Sequence, residues 1–328
     1  MAVFMALPGL LREFGQDPQS VLAAVGLTPG LLAKPDTFVP FEKVDKLLQH
    51  CREVTGCEHF GLLAGQKVSL SYLGALGFAM KSAENVATAL ANLSRYRVLH
   101  DQSALITLEH RGKLVYLRYL VTQSAVTAPD QVYDYAVAVG CSLLRELCGP
   151  AWKPSRLMLR RERPVEVAPY DKFYRCPIIF DSDWAGMEFQ SRWLNIAPAG
   201  ADPMLYRHML REIRELDHAA VDVGADPISS LRLLLATQHC NQGEAAALLG
   251  INTRTLRRQL MSAGTTFRAE LETAKFARAR AMLEVSGLSA LEIADKLGYA
   301  DLSAFSHAFK RWSGVSPAHW RGSAKSEV

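Results

Sequence analysis

The chain has 328 residues, 49% of them hydrophobic and 21% charged, with a formal net charge of +4, an ordinary globular composition with room for two cores. The apolar start "MAVFMALPGLL" has no Lys or Arg before Arg12 and breaks at Pro8-Gly9, so it lacks the basic region of a signal peptide. No uncharged run reaches the ~20 residues of a membrane span, so the reading is a soluble cytoplasmic protein with no membrane partner.

In chain order, residues 7–32 and 41–65 carry Leu/Val/Phe at helical spacing with Gly or Pro between. "HCREVTGCEH", residues 50–59, holds two Cys and two His, but their spacing fits no zinc motif; packed thiols beside surface histidines are expected, and no metal. The six cysteines, Cys51, Cys57, Cys141, Cys148, Cys176 and Cys240, are scattered and read as reduced thiols. Helices are also expected over 83–98 and 130–148. Between them, "ALITLEHRGKLVYLRYLV" (104–121) sets two alternating apolar runs around Arg111-Gly112-Lys113, a β-hairpin. "SRLMLRR" and "PIIFDS" look like further strands. Residues 1–200 therefore read as an α+β domain. Its candidates for an effector pocket are Tyr116, Arg118, Tyr133 and Tyr135, for each of which ordinary packing is the competing reading.

Breakers "PAGADP" and "VGADP" bracket "MLYRHMLREIRELDHAAV", whose Leu205, Met209, Ile213 and Leu216 fall on one helical stripe. Residues 201–227 thus read as a linker with a connecting helix whose stripe either docks on its own domain, the favoured reading, or pairs with a second copy. Residues 228–322 read as all helical, with candidates at 228–238, 243–250, 253–261, 266–285, 290–297 and 302–313; residues 323–328 form a tail. Gly250, Gly264, Gly287, Gly298 and Gly314 punctuate these helices. The net positive charge lies here: residues 1–224 carry 24 basic and 24 acidic side chains, residues 225–328 carry 13 and 9. A mildly basic end is weak evidence for a polyanion.

A repeat strengthens it. "EAAALLGINTRTLRRQL" from 244 and "EIADKLGYADLSAFSHAF" from 292 each place an Ala four residues before a Gly and an apolar residue after it: Ala246, Gly250, Ile251 and Ala294, Gly298, Tyr299, 48 residues apart. A small residue lets a second helix cross closely, Gly makes the turn, and the apolar residue fills the angle, which is helix-turn-helix geometry. At ~100° per residue, Leu256 and Leu260 mark the buried face of one second helix, while Arg254 and Arg258 point away, flanked by Thr255 and Arg257. In the other, Phe305, Phe309 and Trp312 are buried with Leu302 beside them; Ser303 and His307 point away, Lys310 joins them, and Ala304 and Arg311 flank. Three arginines within 254–258 have no acid on their own helix and suit guanine edges or phosphates. Ser303, Ala304 and His307 suit close base contact, and Lys310 and Arg311 suit phosphates. A helix over about 266–285 would hold two reading heads one turn of duplex apart, roughly 34 Å.

"LEIADKLGYADLSAFSHAFKRWSGVSPAHWR" resembles the most specific run of the AraC/XylS transcriptional regulators, in Ile293-Ala294, Leu297-Gly298-Tyr299, Ser303-Ala304-Phe305, Phe309-Lys310-Arg311, Gly314-Val315-Ser316-Pro317 and Trp320-Arg321. "TRTLRRQLMSAGTTF" resembles the matching part of the first repeat. The resemblance implies a bacterial regulator whose two helix-turn-helix units enter successive major grooves of double-stranded DNA, with RNA polymerase as a further partner and a homodimer as one possible state. It departs from the family at His307 and Lys275, where Arg is frequent. Residues 1–200 resemble more loosely the arabinose-binding-like domain of the subgroup that includes ornithine-utilisation regulators, which implies a small-molecule effector or dimerisation.

The expected function is a sequence-specific regulator, an activator in the leading reading, with no catalytic residues and no cofactor. One alternative gives the N-terminal domain only dimerisation or protein contacts. Another gives it an enzymatic or reactive-Cys activity, through Cys51, Cys57 or Cys141. Against the latter, "GLLAGQK" lacks P-loop spacing, "GVSPA" is no nucleophile elbow, and the "FDSD" carboxylates suit loop capping.

Overall fold

A computed structural model describes residues 4–28, 39–96, 104–121, 129–220, 228, 231–232, 234–235, 240–249, 251–285 and 289–325. Contacts divide the chain into two compact units, Met1–Ala225 and Asp226–Val328. The N-terminal unit is α+β, and the C-terminal unit is helical.

The N-terminal unit opens with α1 (Leu7–Glu13) and α2 (Pro18–Ala24), so the stretch read as helical from residue 7 is divided. Asp17 caps α2, its carboxylate accepting from the Gln19 and Ser20 amides. Residues 29–32 of that stretch lie outside the described residues. The span 41–65 is likewise two helices, α3 (Phe41–Thr55) and α4 (Phe60–Gln66), because Gly56 takes φ +64° and ends the first. Next come α5 (Gly74–Ser82), which sequence periodicity misses, and α6 (Val86–Tyr96). The hairpin forms as read: β1 (Ala104–Arg111) and β2 (Leu114–Val121) pair antiparallel from Ala104↔Val121 to Arg111↔Leu114. Gly112 opens the two-residue turn at φ +61°, which its missing Cβ permits.

The long α7 (Pro129–Cys148) follows, then β3 (Arg156–Met158), α8 (Ala168–Tyr174), the two-residue β4 (Ile178–Ile179) and β5 (Ala185–Gln190). The sheet order is β1-β2-β5-β3-β4, antiparallel except for the β3/β4 pair. β5 sits in the middle, and its alternation is too weak for sequence reading to find: all of Ala185–Glu188 is buried, Glu188 included. "PIIFDS" contributes only the edge pair Ile178–Ile179.

Helix α4 lies against α7 at a distance only glycine allows. A Cβ on Gly61 would stand 2.3 Å from the Gln131 carbonyl oxygen, and one on Gly65 would stand 2.5 Å from that of Tyr135. The glycines of "GLLAGQK" thus serve helix packing. Gln131 fastens the crossing: its Oε1 accepts from the Gly61 amide at 2.8 Å and its Nε2 donates to the Glu58 carbonyl at 2.9 Å. The last helix of the unit, α9 (Pro203–Ala220), docks on α5: Ile213 is fully buried, Met209 and Leu210 pack on the same core, and the Tyr206 hydroxyl accepts from Asn92 at 2.9 Å. Leu205, read as part of the docked stripe, is instead 39% exposed, and the Leu216 side chain lies outside the described residues.

The C-terminal unit has α10 (Gln242–Leu248), α11 (Thr253–Ser262), α12 (Phe267–Val285), α13 (Ala290–Lys296), α14 (Leu302–Ser313) and α15 (Pro317–Lys325). Most of the helix read at 228–238, together with Gly250 and Gly287, lies outside the described residues. α15 is absent from the sequence reading, though Pro317 at its first position is a start signal. Among the described residues no helix is long and apolar enough to cross a membrane.

Candidate nucleic-acid interface

The two repeats are built alike to the level of single hydrogen bonds. Asn241 caps α10 in a reciprocal box with Glu244, and Ser289 caps α13 in the same box with Glu292, again 48 residues on. Ala246 and Ala294 are each 1% exposed. After the first helix the Ile251 amide returns to the Ala246 carbonyl and the Tyr299 amide to that of Ala294, both at 3.0 Å. Gly298 takes the left-handed turn at φ +73°. The register then shifts by one residue: Asn252 caps α11, whereas Asp301, 49 residues later, caps α14. Leu256 and Leu260 correspond in this register to Phe305 and Phe309, and all four are buried.

That core aims the opposite faces outward. On α11, Arg254, Arg257 and Arg258 are exposed and Thr255 is half-buried. Among the described residues, no acid pairs with any of the three arginines. On α14, Ser303, Ala304, His307, Lys310 and Arg311 are exposed. Leu302, expected beside the core, is 40% exposed, because it is the first residue after the cap and precedes the buried stripe. Arg311 is not free: its Nη2 lies 3.1 Å from the Glu272 carboxylate on α12.

Helix α12 is the frame. Its 19 residues span about 28 Å at 1.5 Å per residue. At the first repeat, Glu270 accepts two bonds from Arg232, at 2.8 and 3.0 Å; this fork holds the carboxyl below the usual carboxylate range. At the second repeat, the Phe276 ring meets Phe309, Trp312 and Trp320 at centroid distances of 5.6, 5.9 and 6.2 Å. Burying these aromatic faces fixes the angle of α14 against α12. The sequence reading missed Glu272, which joins α12 to α14 through Arg311, and Arg268, which pairs with Glu272 along α12; for that second pair, acid and base at (i, i+4) was the available signal.

The four effector candidates occupy separate settings. Tyr116 and Arg118 share one face of β2. There Arg118 stacks on Trp184 (4.7 Å to the ring centre), and its Nη2 lies 3.3 Å from Glu109. The Arg118 Nε and the Thr107 hydroxyl, opposite each other across β1 and β2, are buried without a hydrogen-bond partner among the described residues. The other face of β2 turns to α7, where Tyr119 meets Tyr133 edge-on and the Tyr133 hydroxyl accepts from Arg160 at 3.0 Å. Tyr135 stacks on Phe4 at 4.8 Å. Cys51 and Cys141, in the core, have thiols pushed up to about 12 by burial, and burial also raises that of Cys57. Such thiols stay protonated and are poor nucleophiles.

Tandem helix-turn-helix repeats with outward basic residues, in a chain with an α+β unit before them, define a DNA-binding transcription regulator. Residues 15–197 match the arabinose-binding N-terminal domain of the AraC transcription regulator, and residues 245–323 match a helix-turn-helix domain. The chain belongs to the AraC family of transcriptional regulators. It is 26% identical over 316 residues to the HTH-type transcriptional regulator VirS of Mycobacterium tuberculosis, covering 95% of this chain and 93% of the relative. It is 27% identical over 323 residues to the ornithine utilization regulator of Pseudomonas aeruginosa, covering 96% and 94%. Among solved structures, the transcriptional regulator CdpR from Pseudomonas aeruginosa is 25% identical, with a TM-score of 0.44 and coverage of 95% of this chain and 98% of its own.

Proposed function

We propose that this chain activates transcription at an asymmetric DNA site in response to a small molecule, reading bases through Arg254, Thr255, Arg257 and Arg258 on α11 and Ser303, Ala304 and His307 on α14. Lys310 and Arg311 meet phosphates. The observation that carries this reading is the exposed arginine face of α11, which has no acid paired with it among the described residues and lies opposite Leu256 and Leu260. Selection from random duplex DNA tests it: one enriched asymmetric sequence is expected, and no enrichment would end the reading. Transcription with purified RNA polymerase on that sequence tests activation; a fall on adding the protein would make it a repressor.

The effector site is best supported on the β2 face that carries Tyr116 and Arg118, because the Arg118 Nε and the Thr107 hydroxyl are buried there without partners among the described residues. Thermal-shift screening against amino acids, polyamines, fatty acids and sugars tests this. A hit whose stabilisation grows with concentration supports it, and flat curves throughout favour the second reading. That reading, homodimerisation or protein contact by the N-terminal unit, draws on exposed Phe78 of α5 and Met204 of α9, 48% and 74% exposed. Catalytic activity is no part of the proposal, and the high pKa values of the buried thiols argue against a reactive cysteine.

A further inference from the structure

Between α12 and α14 lies a cleft of about 340 Å³ whose α12 wall the DNA-contact assignment above does not use. Arg268, Glu272 and Lys275 line it from α12, Tyr299 from the turn, and His307 and Arg311 from α14. Its charges do not cancel. Among the described residues Glu272 is the one acid of the lining, and its carboxylate is shared by Arg268 at 3.2 Å and Arg311 at 3.1 Å. Lys275 is left over. Its Nζ sits 4.5 Å from the centre of the Tyr299 ring, and no acid pairs with it among the described residues. The side chain is half-buried, and burial, together with Arg278, lowers its pKa.

A partly desolvated ammonium with only a ring face for company is costly unless an anion arrives. The cleft is walled on one side by Ala304, His307 and Arg311, the same stripe of α14 that carries predicted DNA contacts. An anion in this position adjoins the edge of whatever groove α14 enters. Resting on the DNA-reading assignment of α14, we propose that the α12–α14 cleft seats one backbone phosphate of the bound duplex, with Lys275 as its principal ligand and His307 beside it. The Glu272 bridge acts as a positioning device, holding Arg268 and Arg311 at the rim. Lys275 donates to a phosphate oxygen, so it adds affinity without reading sequence.

The test is equilibrium DNA binding by the full chain across salt, using fluorescence anisotropy on the selected duplex and on an unrelated one. Lys275→Gln is expected to weaken both duplexes by the same factor and leave the base preference in selection unchanged. Its plot of log affinity against log salt should be shallower by about 0.9. Between about 50 and about 200 mM salt it should then lose about 3-fold less affinity than the wild type. Lys275→Arg should keep the wild-type slope. Lys275→Met, which retains the apolar stem on Tyr299, carries the test if the Gln variant melts abnormally. An unchanged slope in Gln and Met variants that melt normally overturns the proposal. A wild type with neither salt slope nor sequence preference would instead overturn the reading on which it rests. Inorganic phosphate added to DNA-free protein separates the sources: if it raises the wild-type melting temperature but not that of Lys275→Gln, and the DNA slopes are equal, the cleft serves a free anion and the backbone assignment falls.

Discussion

Arg161 and Arg258 show how differently the two units use the same side chain. In the N-terminal unit, Arg161 is 6% exposed, and its Nη1 donates to Asp134 at 2.6 Å, to the Tyr170 hydroxyl at 2.5 Å and to the Glu58 carbonyl at 3.3 Å. Tyr170 donates to the same Asp134 oxygen at 2.6 Å. One guanidinium thereby joins α7, α8 and the approach to α4. In the C-terminal unit, Arg258 is exposed and holds no acid among the described residues. Arginine with its partners inside the fold is structural; arginine kept without them is available to a partner from outside. Geometry, more than residue type, separates the two.

The largest expected effect breaks the buried side of this contrast. Asp134→Ala leaves Arg161 charged and unpaired in the core and should destabilise the chain by about 3–5 kcal/mol in urea unfolding. A loss under about 1 kcal/mol would mean that the network holds little. The same site has a pH signature. Burial raises the Asp134 pKa from the ordinary carboxylate range to about 6, with Arg161 and the Tyr170 hydrogen bond pulling the other way. The folded protein then keeps the proton that the unfolded chain releases, so this contribution is full below pH ~4 and is lost as pH rises towards ~6. Asp134→Asn should remove that part of the stability profile, visible as the wild-type minus variant difference between these pH values.

The next effect probes the open side. Arg258→Ala should weaken specific DNA binding by about 1–3 kcal/mol and leave unfolding unchanged, measured by titration of the selected duplex and by melting. Equal affinity would remove Arg258 from base contact. Removing the Ser289 cap of α13 with Ser289→Ala should cost about 1 kcal/mol of stability, and Asn241→Ala should cost a similar amount if the repeats are as alike as their capping boxes. The smallest change comes from an intermediate case. Arg311 is 58% exposed and pairs with Glu272, so Arg311→Ala should shift stability by less than about 0.5 kcal/mol. A larger shift would move Arg311 to the structural class with Arg161.

Sequence patterning carried the C-terminal unit further than the N-terminal one, for a physical reason. In the repeats, small, apolar and capping residues recur about 48 positions apart, so each repeat checks the other. The N-terminal unit has no such internal check. Its central strand β5 is buried almost throughout and therefore shows no alternation, and its α4–α7 contact depends on Gly61 and Gly65 meeting a helix 70 residues away. Tyr116 and Tyr133 were grouped by residue type, but the two-residue period of β2 puts Tyr116 and Tyr119 on opposite faces, and Tyr119 is the one that reaches Tyr133. The outward face of α11 was legible from spacing alone. The pairing of Arg311 with Glu272 was not, because it depends on the crossing of α12 and α14.

The two outward faces differ in chemistry as well as in register. The α11 face presents three arginines and the α14 face presents serine, alanine and histidine, in a fixed order along the chain. They are unlike words in one line. On the DNA contacts proposed above, a site that suits them would read differently from left to right than from right to left, so even a single bound copy would give its promoter a direction, as an arrow does and a palindrome does not.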